Sequence, residues 1–183
     1  MYGFVMRTCK DFKRYSTYVY LFNTLIRPHL EYASCIWNPF YAKYEDAIET
    51  VQHKFLRSTF YKIFKSKLPY PGLLDKFKMP TLKSRRILLG AMVLYNLCRH
   101  RFDSMELINS ISYRVPRRGG RQRAANPHQL FASSSSRTNA GKRAPLHRLV
   151  ATYNQLFNDA DVFTLTPYCY KKNITETLNN LNM

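Results

Sequence analysis

Acidic residues are scarce in this chain: 11 Asp and Glu stand against 29 Lys and Arg in 183 residues, a formal charge of +18. Between Pro116 and Arg148 there is no acid at all. The acids are sparse and scattered, and no constellation among them signals an enzyme. The four cysteines, Cys9, Cys35, Cys98 and Cys169, form no C-x-x-C pair, which removes the signal for a zinc ribbon or a thioredoxin-like site. Cys98-x-His100 comes closest to a metal motif, yet its spacing fits no common zinc site. The cysteines read as buried free thiols in a reducing compartment, and neither a metal nor a cofactor is expected.

Long apolar runs are missing too. Ile87 to Tyr95 is nine residues and contains Gly90, against the ~20 that a spanning helix needs. Arg7, Lys10, Asp11, Lys13 and Arg14 interrupt the start before a signal-peptide core forms. The expectation is an intracellular protein, nuclear or cytoplasmic, that does not enter a membrane. Gly119-Gly120 lacks both Walker spacing and the following Lys-Ser/Thr, so no phosphate loop is signalled. Ser133 to Ser136 have no strand–turn–helix context, so no nucleophile elbow is signalled either.

What is present is apolar surface and positive charge. At 45% apolar residues the chain can bury a core, and its length suits one domain with or without a small appendage. Aromatics make up 15%, with Trp37 the sole tryptophan. Most of these rings belong in a core; stacking on unpaired bases would use only a few. The basic excess favours polyanions, nucleic acid first and anionic membrane surface second, and it exceeds what solubility needs.

The periodicity is helical throughout, and the fold class is all-α: an irregular helical bundle with a mobile basic tract before the C-terminal helices. Apolar residues at Tyr15, Tyr18, Val19, Phe22, Leu25, Ile26, Leu30, Ala33, Ile36 and Trp37 predict an amphipathic helix, kinked or split at Pro28 and ended by Pro39. Lys43 to Lys65 is a second helix, with Ile48, Val51, Phe55, Leu56, Thr59, Phe60 and Ile63 inward. Its acids precede its bases, which suits the helix dipole and leaves a positive distal half able to face a phosphate backbone. A short helix lies in LLDKFKM. Thr81 caps a longer helix over Leu82 to Arg101, apolar nearly all round and therefore buried. Met105 to Ile111, Leu146 to Asn158 and Thr166 to Leu181 complete the set. Four regions result: 1–65, 66–115, a basic flexible tract at 116–144, and C-terminal helices at 145–183.

The basic tract supplies the candidate nucleic-acid-binding residues: Arg117, Arg118, Arg121, Arg123, Arg137, Lys142, Arg143 and, just beyond it, Arg148. Guanidinium forks match phosphate geometry, and an arm with too little apolar surface to order alone can order along a nucleic-acid backbone. The alternative is a solvated linker between helices. Arg85-Arg86 is open between gripping phosphate and pairing with acids elsewhere. His29 reads as an interior or boundary histidine, and Asp159-x-Asp161 as capping or loop residues.

Several segments, in order, resemble one family. TLIRPHLEYASCIW at Thr24–Trp37 resembles the stretch just downstream of the polymerase core in jockey-like non-LTR retrotransposon reverse transcriptases. GFVMRTCKDFK at Gly3–Lys13 resembles the segment immediately after the palm in the same family. IETVQHKFLR (Ile48–Arg57) and LKSRRILLGAMVLYNL (Leu82–Leu97) look like later helices of that family. SSRTNAGKRAPLHRLVATYNQLF (Ser135–Phe157) resembles its C-terminal Arg-Thr-Asn segment and the helix after it. By this resemblance residues 1–65 are a thumb-like region that cradles a template–primer duplex, and the partners are RNA, DNA or their hybrid. The departures are specific. No Tyr-x-Asp-Asp occurs, the fingers, palm and endonuclease have no counterpart, and no Cys/His knuckle is present. Arg14-Tyr15 stands where the family often has Asp-Pro. The resemblance thus implies nucleic-acid handling without polymerase chemistry, hence no enzyme. A stand-alone helical protein-interaction module and a decayed gene product are the alternatives.

Overall fold

The computed structural model describes residues 2–9, 11–114, 129–132, 136–157 and 160–181. Among these the protein is all-α, with no strand beyond one isolated antiparallel bridge, Tyr113 with Phe131. Two compact units divide the chain, Met1–Arg86 and Ile87–Met183. The boundary falls inside one helix, a division that composition alone does not reveal.

In the first unit, α1 (Tyr2–Thr8) is a helix where apolar spacing predicts no more than a short lead-in. Next comes α2 (Tyr15–Leu21), then a π turn over Phe22–Ile26, then α3 (Arg27–Glu31) and α4 (Ser34–Trp37). Pro28 has no N–H to give, and the widened turn before it closes instead with the Arg27 N–H on the Phe22 carbonyl. The expected interruption is therefore there, as a π turn. Its extra residue rotates the next helical face, and a second break comes at Ala33, which has φ of 51°. Of the apolar stripe, Tyr18, Phe22 and Ile26 are buried and Val19 and Leu30 pack beside them, whereas Tyr15, Leu25, Ile36 and Trp37 are exposed. His29, expected at the interior or boundary, is exposed just beyond the π turn.

The long helix α5 (Ala42–Phe64) comes after this break, and it buries Phe55, Leu56, Thr59 and Phe60 as its spacing predicts. It packs with α6 (Tyr70–Phe77) and α2 around Val5, Phe22, Leu73 and Met79. Gln52, a residue the pattern did not mark, is fully buried and donates to the Pro80 carbonyl at 3.0 Å and the Tyr70 hydroxyl at 3.2 Å. Helix α7 (Leu82–Cys98) starts as expected: Thr81 Oγ1 accepts from Ser84 N at 3.1 Å.

The second unit is built on the rest of α7, α8 (Met105–Asn109), α9 (Asn139–Lys142), α10 (Pro145–Leu156) and α11 (Pro167–Leu181). Leu94, Tyr95, Phe131, Tyr153, Val162, Tyr170 and Ile174 fill its core. Gly90 has a packing reason, since a Cβ there would lie 2.7 Å from Leu149 Cδ2 on α10. Among the described residues of the basic tract, Phe131 and Thr138 make defined contacts. Fully buried Phe131 is clasped by Asn154, whose Nδ2 donates to the Phe131 carbonyl at 2.9 Å and whose Oδ1 accepts from Phe131 N at 3.4 Å. Further on, Thr138 caps α9 by accepting from Gly141 N at 3.1 Å. The tract's composition does not signal either contact, one made by a buried aromatic and one by a cap.

Candidate nucleic-acid interface

Most acids with described contacts are held in internal work. Glu31 receives Arg85 in a fork, Nε to Oε1 and Nη2 to Oε2, the latter at 2.9 Å, and lies 4.0 Å from Arg27 Nε. Glu45 pairs with Lys83 at 3.0 Å. Glu49 accepts from Leu82 N with both oxygens, at 3.2 and 3.1 Å, and from the Tyr70 hydroxyl. It thereby adds a carboxylate at the N-terminus of α7, where the helix dipole favours one. Asp161 accepts from Phe163 N and Thr164 Oγ1, both at 2.8 Å, in the loop role expected of it. Asp159 lies outside the described residues.

The Arg85-Arg86 question resolves toward structure. Arg85 belongs to Glu31. Arg86 is 3% exposed, and its Nε donates to Asn38 Oδ1 at 2.9 Å. Burial lowers its pKa, and Glu49, Glu45 and Glu31 raise it again. Arg99 is likewise committed, donating to the carbonyls of Val162 at 3.0 Å and Leu165 at 2.9 Å.

Several of the cations without acid partners lie along the distal half of α5 and just beyond it. On α5, Lys54, Arg57 and Tyr61 fall at three- and four-residue spacing, so they share one exposed face. Lys62 points the other way, donating to the Cys9 carbonyl at 3.0 Å and to the Tyr18 hydroxyl. Helix α5 ends at Lys65, whose φ of 54° reverses the chain. That reversal brings Lys67 to line, with Arg57, Ser58 and Tyr61, a cleft of about 340 Å³. Ser58 Oγ and Tyr2 Oη share a hydrogen bond of 2.8 Å there. Lys54, Arg57, Lys65 and Lys67 are all exposed, and none has an acid partner among the described residues. The positive distal half of this helix was legible in the sequence; the cleft was not, because Lys67 reaches it only through the left-handed turn.

Of the candidates in the basic tract, Arg117, Arg118, Arg121 and Arg123 lie outside the described residues. Arg137 is exposed just before the Thr138 cap, and Lys142 and Arg143 are exposed at the end of α9. Arg148 is half-buried on α10, so the α9–α10 corner groups Lys142, Arg143 and Arg148 along the chain.

Among the described cysteines no disulfide forms. Burial pushes the Cys98 thiol up in pKa, and its neighbour Tyr113 is pushed up to about 12 by burial and by Cys98. Such a thiol is a poor nucleophile. Among the described residues no group of three or more His, Cys, Asp and Glu is placed to hold a metal, and no helix is long and apolar enough to cross a membrane. Comparison with protein families, curated proteins and solved structures finds no match for this chain.

Proposed function

We propose that this chain is a helical nucleic-acid-binding module, corresponding by sequence resemblance to the thumb and post-palm portion of a jockey-like non-LTR retrotransposon reverse transcriptase. It binds RNA, DNA or their hybrid with little sequence preference and carries out no polymerase chemistry. The observation that supports it best is the sorting of charge. Glu31, Glu45 and Glu49 are tied to internal partners, while Lys54, Arg57, Lys65 and Lys67 stand exposed along the distal half of α5 and just beyond it. A surface of that kind tracks a phosphate backbone rather than reading bases. Arg137, Lys142, Arg143 and Arg148, together with Arg117, Arg118, Arg121 and Arg123, extend the same chemistry.

Fluorescence anisotropy with labelled RNA, DNA and hybrid oligonucleotides tests the proposal. If ~6 phosphates are neutralised, affinity falls roughly 10³-fold between 50 and 200 mM salt. Binding that ignores salt, or no binding at 50 mM, removes the proposal. One observation favours a second reading, a module that docks a protein partner. Tyr20, Tyr32 and Tyr44 are exposed at 73%, 81% and 57%, more aromatic surface than solubility calls for. That reading predicts salt-insensitive association and no response to charge reversal in the basic tract.

A further inference from the structure

The cleft at the end of α5 combines features that a phosphate-tracking surface alone does not require. Two cations, Arg57 from the helix and Lys67 from the loop beyond it, line the same cavity as an aromatic ring, Tyr61. Tyr61 is 53% exposed, so much of the residue is accessible to a ligand. Ser58 holds its place through Tyr2 and closes one side. A volume of about 340 Å³ sits at the lower end of the range for small-molecule sites, enough for a single nucleotide unit. Guanidinium and ammonium groups take the anion, and a phenol ring offers a face for a planar base. A duplex keeps its bases stacked inside and would leave that ring unused.

We infer that this cleft holds one unpaired nucleotide of a single-stranded nucleic acid, with Arg57 and Lys67 on its phosphate and Tyr61 stacked on its base. The assignment deepens the nucleic-acid reading above and rests on it. It makes the module prefer single strands, or single-stranded ends and gaps, over blunt duplex.

The test uses the full chain and fluorescein-labelled oligo-dT of about 12 nucleotides, a blunt duplex of equal length, and an oligonucleotide of the same length with abasic sites. The parent protein should bind the single strand more tightly than the duplex. Tyr61→Ala should weaken oligo-dT binding about tenfold, leave the abasic strand unchanged, and keep the same salt slope. Tyr61→Phe should bind like the parent. The double variant Arg57→Ala/Lys67→Ala should flatten the slope of log affinity against log salt by about two. All three side chains are exposed, so the variants should melt with the parent by circular dichroism. Should Tyr61→Ala bind oligo-dT like the parent, or lose as much on the abasic strand, the cleft assignment falls. The broader reading survives in that case, because the parent still binds in a salt-dependent way. If the parent binds none of the probes at 50 mM salt, both fall together.

Discussion

In Met1–Arg86 the ties between helices run largely through charge; in Ile87–Met183 the ties run through phenols, amides and one arginine. The first unit ties α3 to α7 through Glu31 and Arg85, α5 to α7 through Glu45 and Lys83, and α5 to both α6 and α7 through Glu49. In the second, the Tyr95 hydroxyl donates to the Leu165 carbonyl at 2.8 Å, Tyr153 to Ala160 at 2.7 Å, and Asn154 clasps Phe131. Its ion pair among the described residues is Lys172 with Glu176, exposed and within one helix. A chain with so few acids thus places several of them where they fix helix ends, and elsewhere relies, Arg99 apart, on groups that carry no charge at neutral pH. The two kinds of tie respond to different insults, and this makes the comparison testable.

The largest effects should come from breaking one tie in each unit. Asn154→Ala leaves both the N–H and the carbonyl of Phe131 without their side-chain partner in a buried place, a loss of about 3 kcal/mol. Glu49→Ala strips the carboxylate from the Leu82 N–H and the Tyr70 hydroxyl and removes a neighbouring negative charge from Arg86; about 2 kcal/mol is expected. Urea unfolding measures both. Trp37, the only tryptophan, lies in the first unit, so its emission reports on that unit, while far-UV ellipticity reports on helices in both. A Glu49→Ala protein that unfolds like the parent by Trp37 emission would mean the charged ties of the first unit contribute little.

Alkali should act next, and it should act through phenols. Burial raises the pKa of Tyr153 and Tyr170 above the ordinary tyrosine value, with Asp161 adding to Tyr153. Burial and the Glu49 carboxylate do the same to Tyr70. A folded-state pKa above the unfolded one means that the folded protein holds the proton more tightly. The stability linked to it is complete below about pH 10 and is lost as pH rises beyond that value. Thermal midpoints should therefore hold from neutral pH to about pH 9 and then fall steeply. Tyr153→Phe gives up the bond to Ala160, about 1 kcal/mol at neutral pH, yet should lose less than the parent between about pH 10 and 11. A steeper alkaline fall in Tyr153→Phe than in the parent would contradict the assignment.

How much of this was legible in the sequence depends on which signal each element carries. Helix α5 and the buried Val150 and Tyr153 of α10 were readable from apolar spacing, and the start of α7 from its capping residue Thr81. The exposure of Ile36 and Trp37 was not. It depends on a π turn and a left-handed Ala33, neither of which apolar spacing encodes. Fixation of Phe131 within a basic tract was hidden as well, since its partners Tyr153 and Asn154 lie some twenty residues on. For the candidate interface the positive half of α5 was visible and the cleft was not, because one wall comes from beyond a reversal without glycine.

Helix ends without glycine give the smallest and most even-handed prediction. The apolar pattern predicts α7 as far as Arg101, and no glycine marks an earlier end. The helix nevertheless closes at Cys98, with His100 at φ 51° and Arg101 N bonded to the Asn96 carbonyl at 2.9 Å. Lys78 ends α6 in the same way, at φ 51°, with Met79 N on the Leu74 carbonyl at 3.0 Å. Both are Schellman closures with a side chain where glycine is preferred. A left-handed conformation costs an L-residue roughly 1–2 kcal/mol, and glycine returns part of that gain through the entropy of the unfolded chain. Lys78→Gly and His100→Gly should each stabilise by about 0.5–1 kcal/mol in urea unfolding. The gain should be equal in the two units, because backbone strain is indifferent to whether neighbouring helices are tied by charge or by phenol. An unequal pair of gains would show that the side chain at one of these closures does more than end a helix, and Lys78, in the more heavily charged unit, is where that excess should be sought.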